Sequence, residues 1–406
     1  MERKLLVIGK NWPEPESTAA GTRLLQLIEL FDLDGFEINF VTDAQQGKYS
    51  YQFENAVKTH DIKLNDSSFD ELLLKIKPSV VLYDRFMTEE KYGWRVRENL
   101  DKVLEILDTE DLHFLRNARK EQLLTSKSFH HIVENSPVTY REIASMERCN
   151  FSLIISEEEQ AFLVSKFKID IDKLFYLPFL NRETAIDDNP GFDQRVDFFS
   201  IGNFKHDPNL DLVVQLKEHY WPLLSNALPE AHLHIYGAYA PQHIIEMNNT
   251  KERFHVHGHA KDLDAVFRKH RVLLSPLRYG AGLKGKIFDS MRYGTPAAMT
   301  TIAAEGMYGN YDPNGVVTDD TADFVSRTVQ LYRNPEWWQE AQDFGYEVLE
   351  KRFGYSAFAK ALSLKISLHD TDSKEDSFKV RMLNYHSNNS CRFMSKFIEA
   401  KNKASK

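Results

Sequence analysis

Residues 272–296 read VLLSPLRYGAGLKGKIFDSMRYGTP: an apolar run, a glycine-rich loop and then a helical pattern. A strand, a glycine loop and a helix in that order make a junction that binds anions. Gly280, Gly282 and Gly285 let a ligand approach the backbone closely, and a helix starting near Lys286 directs free N–H groups and its positive end at the loop. Lys284 and Lys286 add two full charges. One unit pair at contact distance is worth about 4 kcal/mol at an effective dielectric near 20, so the two suit a diphosphate leaving group without a metal. The plain alternative is a turn with solvated lysines. The stretch also nearly matches a P-loop, with Gly280, four residues, Gly285 and Lys286, yet Ile287 stands where a Ser or Thr should hold magnesium. Asp289, one turn beyond Lys286, is placed to accept hydrogen bonds from a ribose or to pair with Lys286.

The same alternation of short apolar runs with helical patterns extends over the rest of the chain and predicts parallel α/β architecture. Lys4 to Ile8, Glu37 to Thr42, Ser79 to Tyr83, Val103 to Leu107, Leu153 to Ile155 and Leu174 to Tyr176 read as strands, with a polar loop from Gly9 to Gly21 and a first helix from Thr22 to Phe31. Residues 177–195 lose the apolar period and gather Pro, Asn, Asp and Gly, as linkers do. A second series follows: strands at Val196 to Ile201, Ala231 to Tyr236, Arg253 to His257, Val272 to Pro276, Ala297 to Thr300 and Gly315 to Thr318. The economical picture is two Rossmann-like domains facing each other across a cleft: 1–180 and 196–352, then a helix at 353–370 expected to pack back on the first domain, and a basic polar tail at 371–406.

At 406 residues, with 42% hydrophobic and 27% charged, the chain is long and apolar enough for two cores. No stretch approaches the roughly 18 apolar residues of a membrane span, and MERKLLVIG reads as a first strand rather than a signal peptide. Only Cys149 and Cys391 occur, which excludes a disulfide framework and a cysteine metal site and suits a cytoplasmic location. A net charge of -9 argues against nucleic acid as a partner. The tail differs: eight Lys or Arg against four Asp or Glu make it +4 and leave -13 for the remainder. Arg392-Phe-Met-Ser-Lys-Phe-Ile reads either as a basic amphipathic helix making peripheral contact with a membrane or as a solvated last helix docked on the body.

Taken together these residues resemble the nucleotide-sugar-dependent glycosyltransferases of the GT-B fold, group 1, also called family four. The resemblance rests on Phe199-Ser-Ile-Gly-Asn-Phe-Lys-His-Asp-Pro-Asn209, His234-Ile-Tyr-Gly237, His257-Gly258, the loop from Leu274 to Lys286, and Gly294-Thr-Pro296, which fall in the family's order. Pro15, Ala20-Gly21, Arg23 and the segment Asp108 to Arg116 are similar to its N-terminal motifs. The resemblance implies a nucleoside-diphosphate sugar as donor on the C-terminal domain and a saccharide or lipid-linked acceptor on the N-terminal one. It also implies transfer with retention and no metal or other cofactor. It places Gly202, Asn203 and Lys205 near the donor diphosphate, Gly21 on the same phosphates, and His113 at the reacting sugar. Arg278 is counted with Gly280, Gly282 and Asp289 among the donor contacts, and Lys284 and Lys286 as the charges that stabilise the leaving group. The family often carries a Glu, seven residues, Glu pattern; here Asp289 takes the second position and Ala281 the first. A non-catalytic nucleotide-sugar binder and an epimerase-like enzyme of the same fold are the alternatives.

His255, His257 and His259 alternate, which would set them on one strand face and invites a metal reading, although Gly258 favours a turn. Asp-x-Asp pairs at Asp32, Asp170, Asp262 and Asp370 occur against a background of 60 acidic residues. Trp337 and Trp338 read as packing for a late helix.

Overall fold

Each half of the chain builds a parallel sheet, because its strands are apolar on both faces and its helices fall between them. The computed structural model describes residues 3–54, 56–182, 188–371 and 378–404. Part of the expected linker, 183–187, and the start of the tail, 372–377, lie outside the described residues. Two units separate: Met1–Pro15, Ala20–Leu177 and Ala357–Lys406 form the first, Glu16–Ala19 and Pro178–Ser356 the second.

The first unit runs β1 (Lys4–Ile8), α1 (Ala19–Leu33), β2 (Glu37–Thr42), β3 (Val57–Asp61), α2 (Ser68–Ile76), β4 (Val80–Asp84), α3 (Phe86–Asn99), β5 (Leu104–Asp108), α4 (His113–Leu124), α5 (Phe129–Asn135), α6 (Pro137–Arg148), β6 (Phe151–Ile154), α7 (Glu157–Phe167) and β7 (Leu174–Tyr176). Its seven parallel strands lie in the order β3-β2-β1-β4-β5-β6-β7. The centre is fully buried: Leu5 to Ile8 and Val81 to Tyr83 are all 0% exposed. The sequence reading missed one strand and misplaced one helix start. Strand β3, sequence VKTHD, carries one aliphatic residue and a largely exposed face; it is an edge strand, where charge blunts the open edge and erases the apolar signal. Helix α1 begins at Ala19 rather than Thr22, so Gly21 lies in its first turn and not in the preceding loop.

In the second unit β8 (Val196–Ile201), α8 (Asp207–Gln215), α9 (Trp221–Ala227), β9 (Leu233–Tyr236), α10 (Gln242–Ile245), β10 (Phe254–Gly258), α11 (Leu263–Lys269), β11 (His270–Ser275), α12 (Gly285–Arg292), β12 (Ala297–Met299), α13 (Thr301–Ala304), β13 (Gly315–Val317), α14 (Thr321–Arg333) and α15 (Pro335–Arg352) follow in order. Six parallel strands lie in the order β10-β9-β8-β11-β12-β13. From β8 the chain moves outward on one side and, starting again at β11, on the other. The C-terminal ends of β8 and β11 are therefore the point of reversal, where sheets of this topology bind ligands. Trp338 is buried with its indole N–H on Arg271 O at 2.8 Å, a packing role.

Helix α16 (Tyr355–Thr371) leads to α17 (Phe378–Ser387), a π-helical turn (Asn388–Arg392) and α18 (Phe393–Ala404). Among the described residues no helix is long and apolar enough to cross a membrane.

Candidate functional site

The loops that leave β8 and β11 carry most of the residues singled out in the second unit. After β11 the chain passes through Gly282, whose φ of +63 favours glycine, to Lys284 and then α12. Lys284 is 7% exposed; its Nζ donates to Gly282 O at 2.7 Å and lies 4.0 Å from Glu305 Oε2, so it braces the loop from inside. At Gly285 a Cβ would fall 2.5 Å from the Cβ of Ala19. Only glycine admits the 16–19 segment that close to the helix start. Ile287 is 0% exposed and faces the core, not the loop.

Lys286 reaches across to the β8 side, where its Nζ donates to Asn209 Oδ1 at 2.8 Å. Burial lowers its pKa to about 7. Burial also raises the Asp289 carboxyl to about 6, against a smaller opposing pull from Arg292. The alternative of a Lys286–Asp289 ion pair is not realised among the described residues. Asn209, which the sequence reading did not single out, joins the two loops. Its Nδ2 donates to Asn203 O at 2.9 Å while its Oδ1 receives Lys286, and Gly202 is pressed against its amide so closely that a Cβ would lie 2.5 Å from Cγ. Asn203, 8% exposed, donates to Ser17 Oγ at 2.7 Å and accepts from the Lys205 N–H at 2.8 Å. Gly202, Asn203, Asn209 and Lys286 thus form one cluster at the point of reversal. The signal for Asn209 was its place just inside a helix that opens with Asp-Pro.

Two expected donor contacts are engaged elsewhere. The Lys205 ammonium lies 3.4 Å from the centre of the Tyr239 ring, and Arg278 makes a two-point pair with Asp211. At Gly280 a Cβ would meet Lys284 Cε at 3.4 Å, and Ala281 is 8% exposed.

Gly21 and His113 belong to the first unit. A Cβ on Gly21 would meet the Glu14 backbone at 2.5 Å, so its smallness serves the packing of residues 14–21. His113 opens α4 with its Nδ1 3.1 Å from Asp111 O and 3.5 Å from Glu142 Oε1. Glu142 accepts the His113 and Phe114 amides at 3.1 and 2.9 Å, and Glu159 accepts that of Leu112 at 3.2 Å, so buried carboxylates occupy the positive end of this helix. Nearby, at the C-terminal ends of β4 and β5, Arg23 pairs with Asp108 at 2.8 Å, both side chains at most 1% exposed, and gives its other nitrogen to Leu177 O at 2.6 Å. Arg85, with φ +71, lies beside Asp84. Burial first, then the adjacent Asp108, raise the Glu110 carboxyl to about 8. The sequence reading took Asp108 and Glu110 as part of one motif and did not see their arginine partners, which arrive from α1 and β4.

The histidines make a different object from the one expected. His255 and His257 share a face of β10, but His259 lies past the strand and meets Glu16 O at 3.2 Å. The partners of the first two stand on the neighbouring strand: His232 Nδ1 is 2.8 Å from His255 Nε2, and His234 Nδ1 is 2.8 Å from His257 Nε2. Rings alternate along His232, His255, His234, His257 and Tyr236 at 4.8–5.1 Å between centres. Nitrogens paired with each other do not converge on a cation, and among the described residues no group of three or more His, Cys, Asp or Glu is arranged to hold a metal ion. Of the Asp-x-Asp pairs, Asp170 and Asp262 cap short helices and Asp34 binds Arg3.

Residues 195–334 match the family model for Glycosyl transferases group 1. In fold the chain is similar to sucrose-phosphate synthase from Thermosynechococcus elongatus, with a TM-score of 0.68 over 91% of this chain and 100% of that one at 14% identity. HepE of Anabaena, solved with UDP and glucose, is similar at TM-score 0.66 over 90% of this chain and 100% of that one, at 9% identity. A UDP-forming α,α-trehalose-phosphate synthase from Burkholderia xenovorans is similar at 0.65 over 92% and 100%, at 10% identity. No curated protein matches the sequence. The second unit thus carries a stretch, residues 195–334, that matches the group 1 glycosyl transferases, and the chain as a whole shares the two-sheet GT-B fold of these solved glycosyltransferases.

Proposed function

We propose that the chain transfers a sugar from a nucleoside-diphosphate sugar to a saccharide or lipid-linked acceptor, with retention of configuration and without a divalent metal. The observation that carries this reading is Lys286. It stands in the first turn of α12 and donates to Asn209, which in turn bonds Asn203 and packs on Gly202 at the point of reversal, with its pKa lowered to about 7 by burial. A half-buried, partly desolvated amine bonded to an amide instead of a carboxylate is ready to take up a proton when a diphosphate arrives, so binding and charge neutralisation occur together. Lys284 shapes the loop and adds the second charge, and Asp289 is the acceptor for ribose hydroxyls. As the sugar departs, negative charge grows on the diphosphate, and the helix end and the two lysines stabilise it more than they stabilise the bound donor. His113 faces the reacting sugar in this reading.

The test is Lys284→Ala/Lys286→Ala, assayed with UDP-, GDP- and ADP-sugars, with and without magnesium, over a panel of saccharide acceptors. Turnover is expected to fall by about 10²–10³-fold or more. Lys286→Met alone should leave the unfolding midpoint unchanged or raised, because burying the ammonium costs stability in the free protein. A double variant that retains turnover removes the assignment.

A further inference from the structure

The last helix of the first unit wears its apolar residues on the side away from the body. α17, the π-helical turn and α18 run without a break from Phe378 to Ala404 and pack on α3 and α6. What faces the body is small or polar. Val380 and Ser395 are 5% exposed; the Arg95 guanidinium donates to Ser395 Oγ and to Glu399 Oε2, both at 3.4 Å, and Glu399 Oε1 accepts the Ser67 N–H at 3.3 Å. Arg392 and Lys396 both reach Glu98, and Lys379 reaches Glu147. Phe378, Met382, Tyr385, Phe393, Met394 and Phe397 point outward, exposed by 43–75%.

These six residues form a single line because of the π-turn. An α-helix advances about 100° per residue, so with unbroken α geometry the second trio would lie about a quarter-turn round from the first. A π-turn takes up one residue more, which sets the phase back by about 100° and returns Phe393, Met394 and Phe397 to the line of Phe378, Met382 and Tyr385. The burial of Val380 before the turn and Ser395 after it, on the opposite side, agrees with this phase. Arg381 and Lys401 border the line.

We propose that residues 378–404 form a membrane-surface helix, lying in the headgroup plane of an anionic bilayer with this apolar line inserted. Charge selects the occupant. Residues 371–406 carry +4 on a chain whose remainder is -13; with Lys379, Arg392 and Lys396 engaged by Glu147 and Glu98 of the body, it is still the segment that anionic lipid repels least, and Arg381 and Lys401 stand beside the apolar line. A second copy docked face to face through the same line would set two +4 segments against each other. From Phe378 to Phe397 the line runs about 28 Å along one continuous helix, a length that can lie along a flat surface. None of this depends on the donor or the acceptor.

The experiment is flotation of the full chain with vesicles of phosphatidylcholine alone and of phosphatidylcholine and phosphatidylglycerol in equal parts, at low and high salt, together with sedimentation of the free protein. Wild type is expected to float with the mixed vesicles, less at high salt, and not with the neutral ones. Phe393→Ser/Phe397→Ser is expected to lower partitioning by about tenfold or more with an unchanged far-UV spectrum, since both side chains are exposed. Arg381→Glu is expected to weaken binding to mixed vesicles. Absence of flotation, or flotation indifferent to the Phe substitutions, overturns the proposal. So does a dimer that the Phe substitutions dissolve in a protein that does not float, which would make the line an interface between copies.

Discussion

The two sheets reverse direction in the same way, yet their reversal points are built from opposite electrostatics. In the first unit the reversal lies between β1 and β4, and at the ends of β4 and its neighbour β5 the charges are paired and largely buried: Arg23 with Asp108, Arg85 with Asp84, and the Glu110 carboxyl raised by burial to about 8. At β8 and β11 of the second unit a half-buried lysine donates to an amide oxygen rather than to a carboxylate, and desolvation lowers its pKa to about 7. Topology decides where a site can be, and the residues at the strand ends decide whether a charge placed there meets an opposite charge or an amide.

The difference can be broken most forcefully from the first unit. Arg23→Ala leaves Asp108 buried without its partner and should cost about 3–5 kcal/mol of unfolding stability, read by denaturant titration. UDP affinity of the surviving folded protein should be unchanged. If instead nucleotide affinity falls while stability holds, the paired cluster is itself a ligand site and the contrast fails.

A second measurement sharpens the contrast from within the second unit. His270 is 0% exposed, donates its Nδ1–H to Val266 O at 2.8 Å, and leaves Nε2 buried without a partner. His234, Tyr236, Phe199, Asp197 and Lys269 surround it, and burial chiefly lowers its pKa to about 4. The unfolded chain takes up this proton near pH 6.5 and the folded unit only near 4, so the stabilisation is whole above 6.5 and is lost as pH falls toward 4. The full depression corresponds to about 3 kcal/mol. His257, also lowered to about 4, adds to the same direction. Denaturant midpoints across this window should fall with acid, and His270→Phe should flatten the slope. An unchanged slope would show that His270 is not the group responsible.

The smallest effect concerns Lys205. Its ammonium over Tyr239 is worth about 0.5–1 kcal/mol, so Lys205→Met should alter stability within that range and nucleotide affinity little. A loss of affinity as large as that of the Lys286 variant would show that Lys205 leaves the ring for the donor.

Much of this was open to reading in one dimension. The βα periodicity, the loop from Gly280 to Lys286 and the family resemblance all depend on residues close in sequence, where spacing and geometry are tied together. Strand β3 was hidden because an edge strand carries charge instead of an apolar run. Asn209 was quoted inside a motif without a role, because its role exists only once α8 lies beside α12. The histidine ladder was half visible: alternation set His255 and His257 on one face, but His232 and His234 meet them through strand pairing.

By itself the sequence determined the fold class, the order of the buried strands and the helices between them, and the glycine loop with its two lysines, since each follows from local periodicity and backbone freedom. Tertiary structure alone decided which charges are neutralised. Whether Lys286 faces a carboxylate or an amide, and whether the last helix turns its apolar line inward or outward, depends on groups that are distant along the chain and adjacent in space.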